Sequence, residues 1–283
     1  MTNKKKSSNK VAFQGQLGAN SHVACKIYFP DWEYLPCTNF EDAFNTVRDN
    51  DAKYAMIPIE NSVMGRVADI HNLLPESGLF IVGEYFHRVE HQLLALKDSS
   101  LKEIKTVMSQ LPALSQCKKF IKQNNFTEIT AADTAGSAKE VANLGDKSIG
   151  AIASSLAAEI YNLKIVSSNI EDADHNTTRF IVMSNKPEAP ALNEGKVITS
   201  IIFKIRNVPA ALYKGLGGFA TNGVNITKLE SYLIDGNFTA AQFYADFEGH
   251  QDLKHVQLAL EELSFYSKEL KILGCYQSDP YRN

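Results

Sequence analysis

The polar run His175-Asn176-Thr177-Thr178-Arg179-Phe180 carries an amide, two hydroxyls and a guanidinium straight into the apolar segment Ile181-Val182-Met183. At the mouth of a sheet such a run offers hydrogen-bond donors and a fixed positive charge, and open α/β folds bind small ligands there. Taken alone it reads equally as a surface loop entering a strand, so partners for Thr178 and Arg179 must come from elsewhere. Glu60-Asn61-Ser62 is the first candidate, because it ends the fully apolar strand Tyr54-Ala55-Met56-Ile57-Pro58-Ile59 and is followed by Gly65. A continuous apolar strand predicts a parallel sheet covered on both faces, which leaves the polar trio at its carboxyl edge. A third stretch, Gly15-Gln16-Leu17-Gly18-Ala19-Asn20-Ser21-His22, joins the short strand Val11-Ala12-Phe13 to a helix. The unpaired first amides of a helix behind a glycine loop make an anion cradle, with a plain tight turn as the other reading. The G-x-x-G spacing is not a dinucleotide fingerprint.

His87-Arg88-Val89-Glu90-His91 matches the H-x-x-E-H zinc pattern letter for letter. That pattern needs a helix, and this run lies between Phe80-Ile81-Val82 and Leu93-Leu94-Ala95-Leu96, which read as strand. Four strand residues set the two imidazoles roughly 13 Å apart, too far for one ion, so no metal is expected. Cys25, Cys37, Cys117 and Cys275 are widely spaced without a C-x-x-C pair, as expected of reduced, mostly buried thiols in a cytoplasmic protein.

The elements that must hold these residues follow from the patterning of 283 residues, enough for two domains. The net charge of -3 gives no basic footprint for nucleic acid. Lys4 to Lys6 precede Ser7-Ser8-Asn9 and no apolar core, which reads as a short disordered start and not a signal peptide; no apolar run is long enough to span a membrane. Helices are expected at Phe40–Arg48, Val67–Leu74, Ala113–Lys122 (with Gln116), Thr134–Leu144 and Ser154–Tyr161. Strands are expected at Leu79–Phe86, Leu93–Leu96, Thr106–Ser109, Ser148–Ala153 and Leu163–Val166. The chain thus leaves one β/α lobe (10–90), builds a second (91–164) and returns (165–185), so a cleft between two lobes is expected. Residues 186–196 contain Pro187, Pro190 and Gly195 and read as a linker. From 197 to 277 the order is strand, helix, strand, Asp235-Gly236 turn, strand, helix, strand, a ferredoxin-like βαββαβ pattern.

With both halves in view the chain resembles the prephenate dehydratase family with a carboxy-terminal ACT regulatory domain. The resemblance runs from Val11 to Tyr276. It is carried by Gly15-x-x-Gly18-x-x-Ser21-His22, Pro58-Ile59-Glu60-Asn61-Ser62-x-x-Gly65, Gly83-Glu84, Gln116-Cys117, Asn176-x-Thr178-Arg179-Phe180 and Leu273-Gly274-Cys275-Tyr276. It implies a two-lobed catalytic domain like type II periplasmic binding proteins (10–185) and an ACT domain (197–277). The implied reaction converts prephenate to phenylpyruvate, water and carbon dioxide without a cofactor. By the same resemblance Thr178 donates to the departing hydroxyl, with Glu60 as the rival proton source. Asn61, Ser62, Ser109, Gln116, Asn176, Arg179 and Phe180 are the implied substrate-binding positions, with Arg179 either gripping a carboxylate or bracing the loop.

Two segments depart from the family. Its Ser-His-Pro-Gln reads Ser109-Gln110-Leu111-Pro112 here, and its effector segments read Ala210-Ala211-Leu212 and Glu230-Ser231-Tyr232-Leu233. Retained Glu230 and Ser231 favour L-phenylalanine as allosteric effector, whereas the loss of Arg-Pro to Tyr232-Leu233 argues against it. ACT domains associate edge to edge, so a homodimer or homotetramer is expected. Arogenate dehydration and a non-catalytic metabolite sensor stand as the alternatives.

Overall fold

The computed structural model describes residues 9–192, 194–234 and 237–282, which leaves the expected Asp235-Gly236 turn outside the described residues. Two compact units form, one from residues up to 67 with 85–180, the other from 68–84 with residues 181 onward.

The chain opens with β1 (Lys10–Gln14), α1 (Asn20–Tyr28), β2 (Glu33–Cys37), α2 (Phe40–Arg48), β3 (Tyr54–Asn61) and β4 (Gly65–Arg66). Then come α3 (Ala68–Leu73) and β5 (Phe80–Arg88). The second lobe holds β6 (Gln92–Ala95), β7 (Thr106–Ser109), α4 (Leu111–Gln116), α5 (Lys118–Gln123), β8 (Thr127–Thr130), α6 (Thr134–Leu144), β9 (Ile149–Ala153), α7 (Ser155–Ile160) and β10 (Lys164–Ser167). The chain returns as β11 (Thr177–Ser184). The first sheet runs β2-β1-β3-β11-β5, with β4 on β3, and β1 is parallel to both β2 and β3. Its central strand β3 buries Ala55, Met56, Ile57 and Ile59 completely, as a strand covered on both faces must. The second sheet runs β10-β6-β9-β7-β8.

Beside the two-residue β4, two longer strands escaped the sequence reading. β2 contains Pro36, and all four residues of β8 are exposed. Both lie at sheet edges, where a proline costs no ladder bond and no apolar alternation is required. The single helix expected over 113–122 is instead two, broken at Cys117. Asp172 spans the break: its backbone N–H donates to Gln116 O at 2.6 Å, and its carboxylate accepts from Lys119 N at 3.1 Å. Gln116 therefore ends a helix instead of lying inside one.

The second unit continues with β12 (Val197–Ile205), α8 (Ala211–Thr221), β13 (Ile226–Ile234), β14 (Asn237–Glu248), α9 (Lys254–Tyr266) and β15 (Ser267–Gln277). The strands are antiparallel in the order β13-β14-β12-β15. One sheet face meets the helices through Ile201, Phe203, Phe243, Ala245 and Phe247 against Phe219, Val256, Leu260 and Leu263. Segment 68–84, assigned to the first domain by the sequence reading, packs with this unit: His71 lies edge-on to Tyr244 at 5.4 Å, and Lys271 Nζ donates to Pro75 O at 3.0 Å. Gly274 sits so close that a Cβ there would fall 1.9 Å from Ile81 O. Among the described residues no helix is long and apolar enough to cross a membrane.

Candidate active site

The carboxyl end of β3 and the start of β11 bring Glu60-Asn61-Ser62 against His175 to Arg179, 115 residues later in the chain. Ser62 staples the junction: its hydroxyl donates to His175 O at 2.6 Å and accepts from Thr177 N at 2.9 Å. Asn61 Oδ1 accepts the backbone N–H groups of Val63 and Met64, each at 2.9 Å. An amide nitrogen cannot accept, so these two contacts fix which way the Asn61 amide points. Its Nδ2 then donates to Asn176 Oδ1 at 2.8 Å and to Thr178 Oγ1 at 2.9 Å.

The chain of amides continues into the second lobe. Asn176 Nδ2 donates to Gln116 Oε1 at 3.1 Å, and the ring Nε2 of His91 lies 2.7 Å from the same oxygen. His91 is 2 % exposed, and burial holds its pKa below the ordinary value, with Gln116 and Glu171 opposing more weakly. Its backbone N–H donates to Glu171 Oε2 at 2.9 Å, and the Glu171 carboxylate, itself buried, lies 3.7 Å from Arg88. A pocket of about 190 Å³ opens beside this chain, lined by Val63, Met64, Ser115, Gln116, Asn176 and the stretch Glu171–Ala173. Thr178 and Gln116 are both partly exposed.

The remaining sequence candidates sit differently. Arg179 is 1 % exposed, donates to Glu60 Oε1 at 3.0 Å and lies over the Phe86 ring at 5.9 Å. It lies inside the fold, with Glu60 as an ion-pair partner. Phe180 is buried beside His87, with ring centroids 6.5 Å apart. Ser109 is fully buried and donates to Ile152 O at 2.7 Å. The glycine loop serves the lobe contact. Gly18 N donates to His22 Nδ1, a Cβ on Gly18 would lie 2.9 Å from Ala157 Cα, and Ser154 Oγ donates to Gly18 O at 2.6 Å. Gly18 adopts φ +93°, which an L side chain resists.

His87 lies in strand β5, and among the described residues no three His, Cys, Asp or Glu side chains gather to hold a metal. Burial pushes the Cys25 and Cys117 thiols far up, which makes neither a ready nucleophile. In the second unit Ala211 is buried, Leu212 packs against the core, and Glu230 accepts from Lys228 Nζ at 3.2 Å. Ala210 precedes α8 in the left-handed region at φ 60°, and Ser231 lies on edge strand β13. Tyr232, where the family has Arg, accepts from Gln242 Nε2 at 2.7 Å, and burial pushes its pKa up to about 12.

His91 and Glu171 were missed. The sequence reading marked His91 only as the end of the H-x-x-E-H run, and nothing marked Glu171.

Hydrogen-bond donors thus gather where the two lobes of an α/β unit meet, the kind of place where α/β folds bind small ligands, and a βαββαβ unit follows in the chain. Residues 11–188 match the family model described as prephenate dehydratase, and the chain belongs to that family of decarboxylating hydro-lyases. It is 46 % identical over 272 residues to a bifunctional N-acyl-homoserine lactone acylase/prephenate dehydratase of Komagataeibacter europaeus, covering 96 % of this chain and 97 % of that one. It is 36 % identical to the chloroplastic arogenate dehydratase/prephenate dehydratase 1 of Arabidopsis thaliana, covering 96 % and 73 %. The crystal structure of a prephenate dehydratase from Arthrobacter aurescens in complex with L-Phe matches with a TM-score of 0.87 at 28 % identity, covering 95 % of this chain and 90 % of that one.

Proposed function

We propose that this chain is a prephenate dehydratase and that Thr178 is its hydroxyl donor. The observation that carries the reading is the fixed Asn61 amide. Because Asn61 Nδ2 donates to Thr178 Oγ1, the threonine spends a lone pair there and keeps its own proton for a ligand. In the cleft that proton would hydrogen-bond the ring hydroxyl of prephenate. As the ring carboxylate leaves as carbon dioxide, the electrons of the broken C–C bond close the aromatic ring and expel hydroxide. Thr178 stabilises the charge growing on that oxygen, and solvent supplies the proton that completes water. A threonine is too weak an acid to surrender its proton outright, so the hydrogen bond must be positioned before the bond breaks. Such assistance is worth about 10²–10⁴-fold, or roughly 3–5 kcal/mol. Gln116 offers its Nε2 hydrogens without adding negative charge, which suits a dianionic substrate. Glu60 and Arg179 hold the ends of β3 and β11 in register.

We read the second unit as an ACT domain, on its βαββαβ order. Phenylalanine binding by Ala210, Ala211, Leu212, Glu230 and Ser231, feedback inhibition, homo-oligomer formation and a cytoplasmic location belong to the same proposal. The L-Phe in the Arthrobacter relative supports the first of these. The test is turnover by purified protein of prephenate and arogenate side by side, with N-acyl-homoserine lactone as a third arm because of the Komagataeibacter relative. Phenylpyruvate from prephenate supports the reading. Turnover of arogenate alone would move the substrate, and no dehydration of either would leave a metabolite sensor. Calorimetry with phenylalanine on the full chain tests the regulatory half, which falls if no heat of binding is seen.

A further inference from the structure

We propose that His91 is a positioning residue: its Nε2–H tautomer locks one end of a polarised amide relay whose other end is the backbone of Val63 and Met64, and this lock makes Thr178 and Gln116 hydrogen-bond donors. The inference rests on the functional reading above for the use of those donors, but the lock itself is a matter of hydrogen-bond bookkeeping.

Each side-chain amide in the relay could in principle point either way, since oxygen and nitrogen are nearly isosteric. The backbone removes the choice at Asn61, because Val63 N–H and Met64 N–H can only donate. Asn61 therefore donates to Asn176, so the acceptor there is Oδ1, and Asn176 must donate onward to Gln116 Oε1. That oxygen lies 2.7 Å from His91 Nε2 and has no hydrogen to give, so Nε2 must carry one. Gln116 is then left with its Nε2 hydrogens for the cleft, and Thr178 with its hydroxyl hydrogen. Were the relay reversed, both side chains would offer oxygen lone pairs to a substrate bearing two carboxylates.

The His91 ring supports the same assignment from the other side. It is buried, and its Nδ1 has no hydrogen-bond partner among the described residues. An orphaned N–H is the rarer and costlier defect, so the proton belongs on Nε2, where an acceptor waits. Burial also keeps the ring neutral, so that it exists as one tautomer or the other.

Nitrogen-15 NMR of imidazole-labelled full-length protein at neutral pH reads the tautomer directly, with His91→Gln locating the resonance by its loss. The expected spectrum has a protonated Nε2 and an unprotonated Nδ1. Asn61→Asp cannot donate to Asn176, and it should turn the amides over one after another until the proton appears on Nδ1. In turnover, His91→Leu should lower kcat about 10- to 100-fold, the range set by one unmet hydrogen bond. His91→Gln, which restores a donor, should recover most of it, whereas a merely packing role would favour leucine. A protonated Nδ1 in the wild type, or a His91 signal unmoved by Asn61→Asp, would overturn the lock. Those two readouts need no activity. Absence of prephenate turnover with the expected tautomer would instead overturn the functional reading and leave the relay standing.

Discussion

Arg282 closes a buried cluster in the second unit, and its removal should be costly. Its Nε and Nη2 reach both oxygens of Glu84 at 2.6 and 2.9 Å, and Nη2 lies 3.6 Å from Asp246. Both carboxylates have side chains at 0 % exposure, while Arg282 is at 17 %. Other donors serve them: Asp279 N–H reaches Glu84 Oε1 at 3.1 Å, and Ser200 Oγ reaches Asp246 Oδ1 at 2.5 Å. Arg282→Met keeps much of the apolar stem but withdraws the cation from two buried negative groups. Breaking a buried pair from one side costs about 3–5 kcal/mol. The partial exposure of Arg282 lets water enter, so the lower end, about 3 kcal/mol, is expected here. At about 2–4 °C per kcal/mol for a chain this long, the melting temperature should drop by roughly 6–12 °C. Urea unfolding followed by circular dichroism measures the loss, and Glu84→Gln in the same chain should return part of it by removing one stranded charge. A loss below about 1 kcal/mol, the range of a surface pair, would refute the reasoning.

Burial pushes the His87 pKa from 6.5 down to about 4. The unfolded chain therefore takes up the proton first: stability is full above pH 6.5 and is lost as the pH falls toward 4, by up to about 3 kcal/mol. His87→Phe should flatten that limb in denaturant titrations across this range, and an unchanged slope would count against it. Ala210 holds φ 60°, in the left-handed region that favours glycine. Ala210→Gly should relieve a left-handed penalty of about 1–2 kcal/mol and lose part of that to unfolded-state entropy. A net gain of about 0.5–1 kcal/mol in urea is the expected result, and a net loss would show that the alanine methyl contributes more by packing.

How far the sequence could be read depended on whether the deciding contact was local. The apolar run of β3 and its abrupt Glu60-Asn61-Ser62 end located the sheet edge, because burial on two faces leaves a mark on every residue of the strand. The βαββαβ order was legible for the same reason, through periodicity. Edge strands β2 and β8 were not, since exposure frees their side chains from any pattern. The glycine loop was legible as a turn, but its task was not. Gly18 is small because Ala157 lies against it, a contact 139 positions away that no local spacing encodes. Likewise the sequence left Arg179 between gripping a carboxylate and bracing the loop, and gave no sign that Glu60 lies 3.0 Å from it or that His91 meets Gln116. A side chain's chemistry can be read from its type, but its partner cannot.

The most direct test of the central claim is the steady-state rate of phenylpyruvate formation from prephenate by Thr178→Val and Thr178→Ser beside the wild type. Valine keeps the shape and loses the hydroxyl, while serine keeps the hydroxyl that Asn61 orients. The account predicts a loss of about 10²–10⁴-fold in kcat for valine, and serine within about tenfold of wild type, the span of one 1.4 kcal/mol adjustment. A valine variant that turns over at the wild-type rate would contradict it and move the donor away from Thr178.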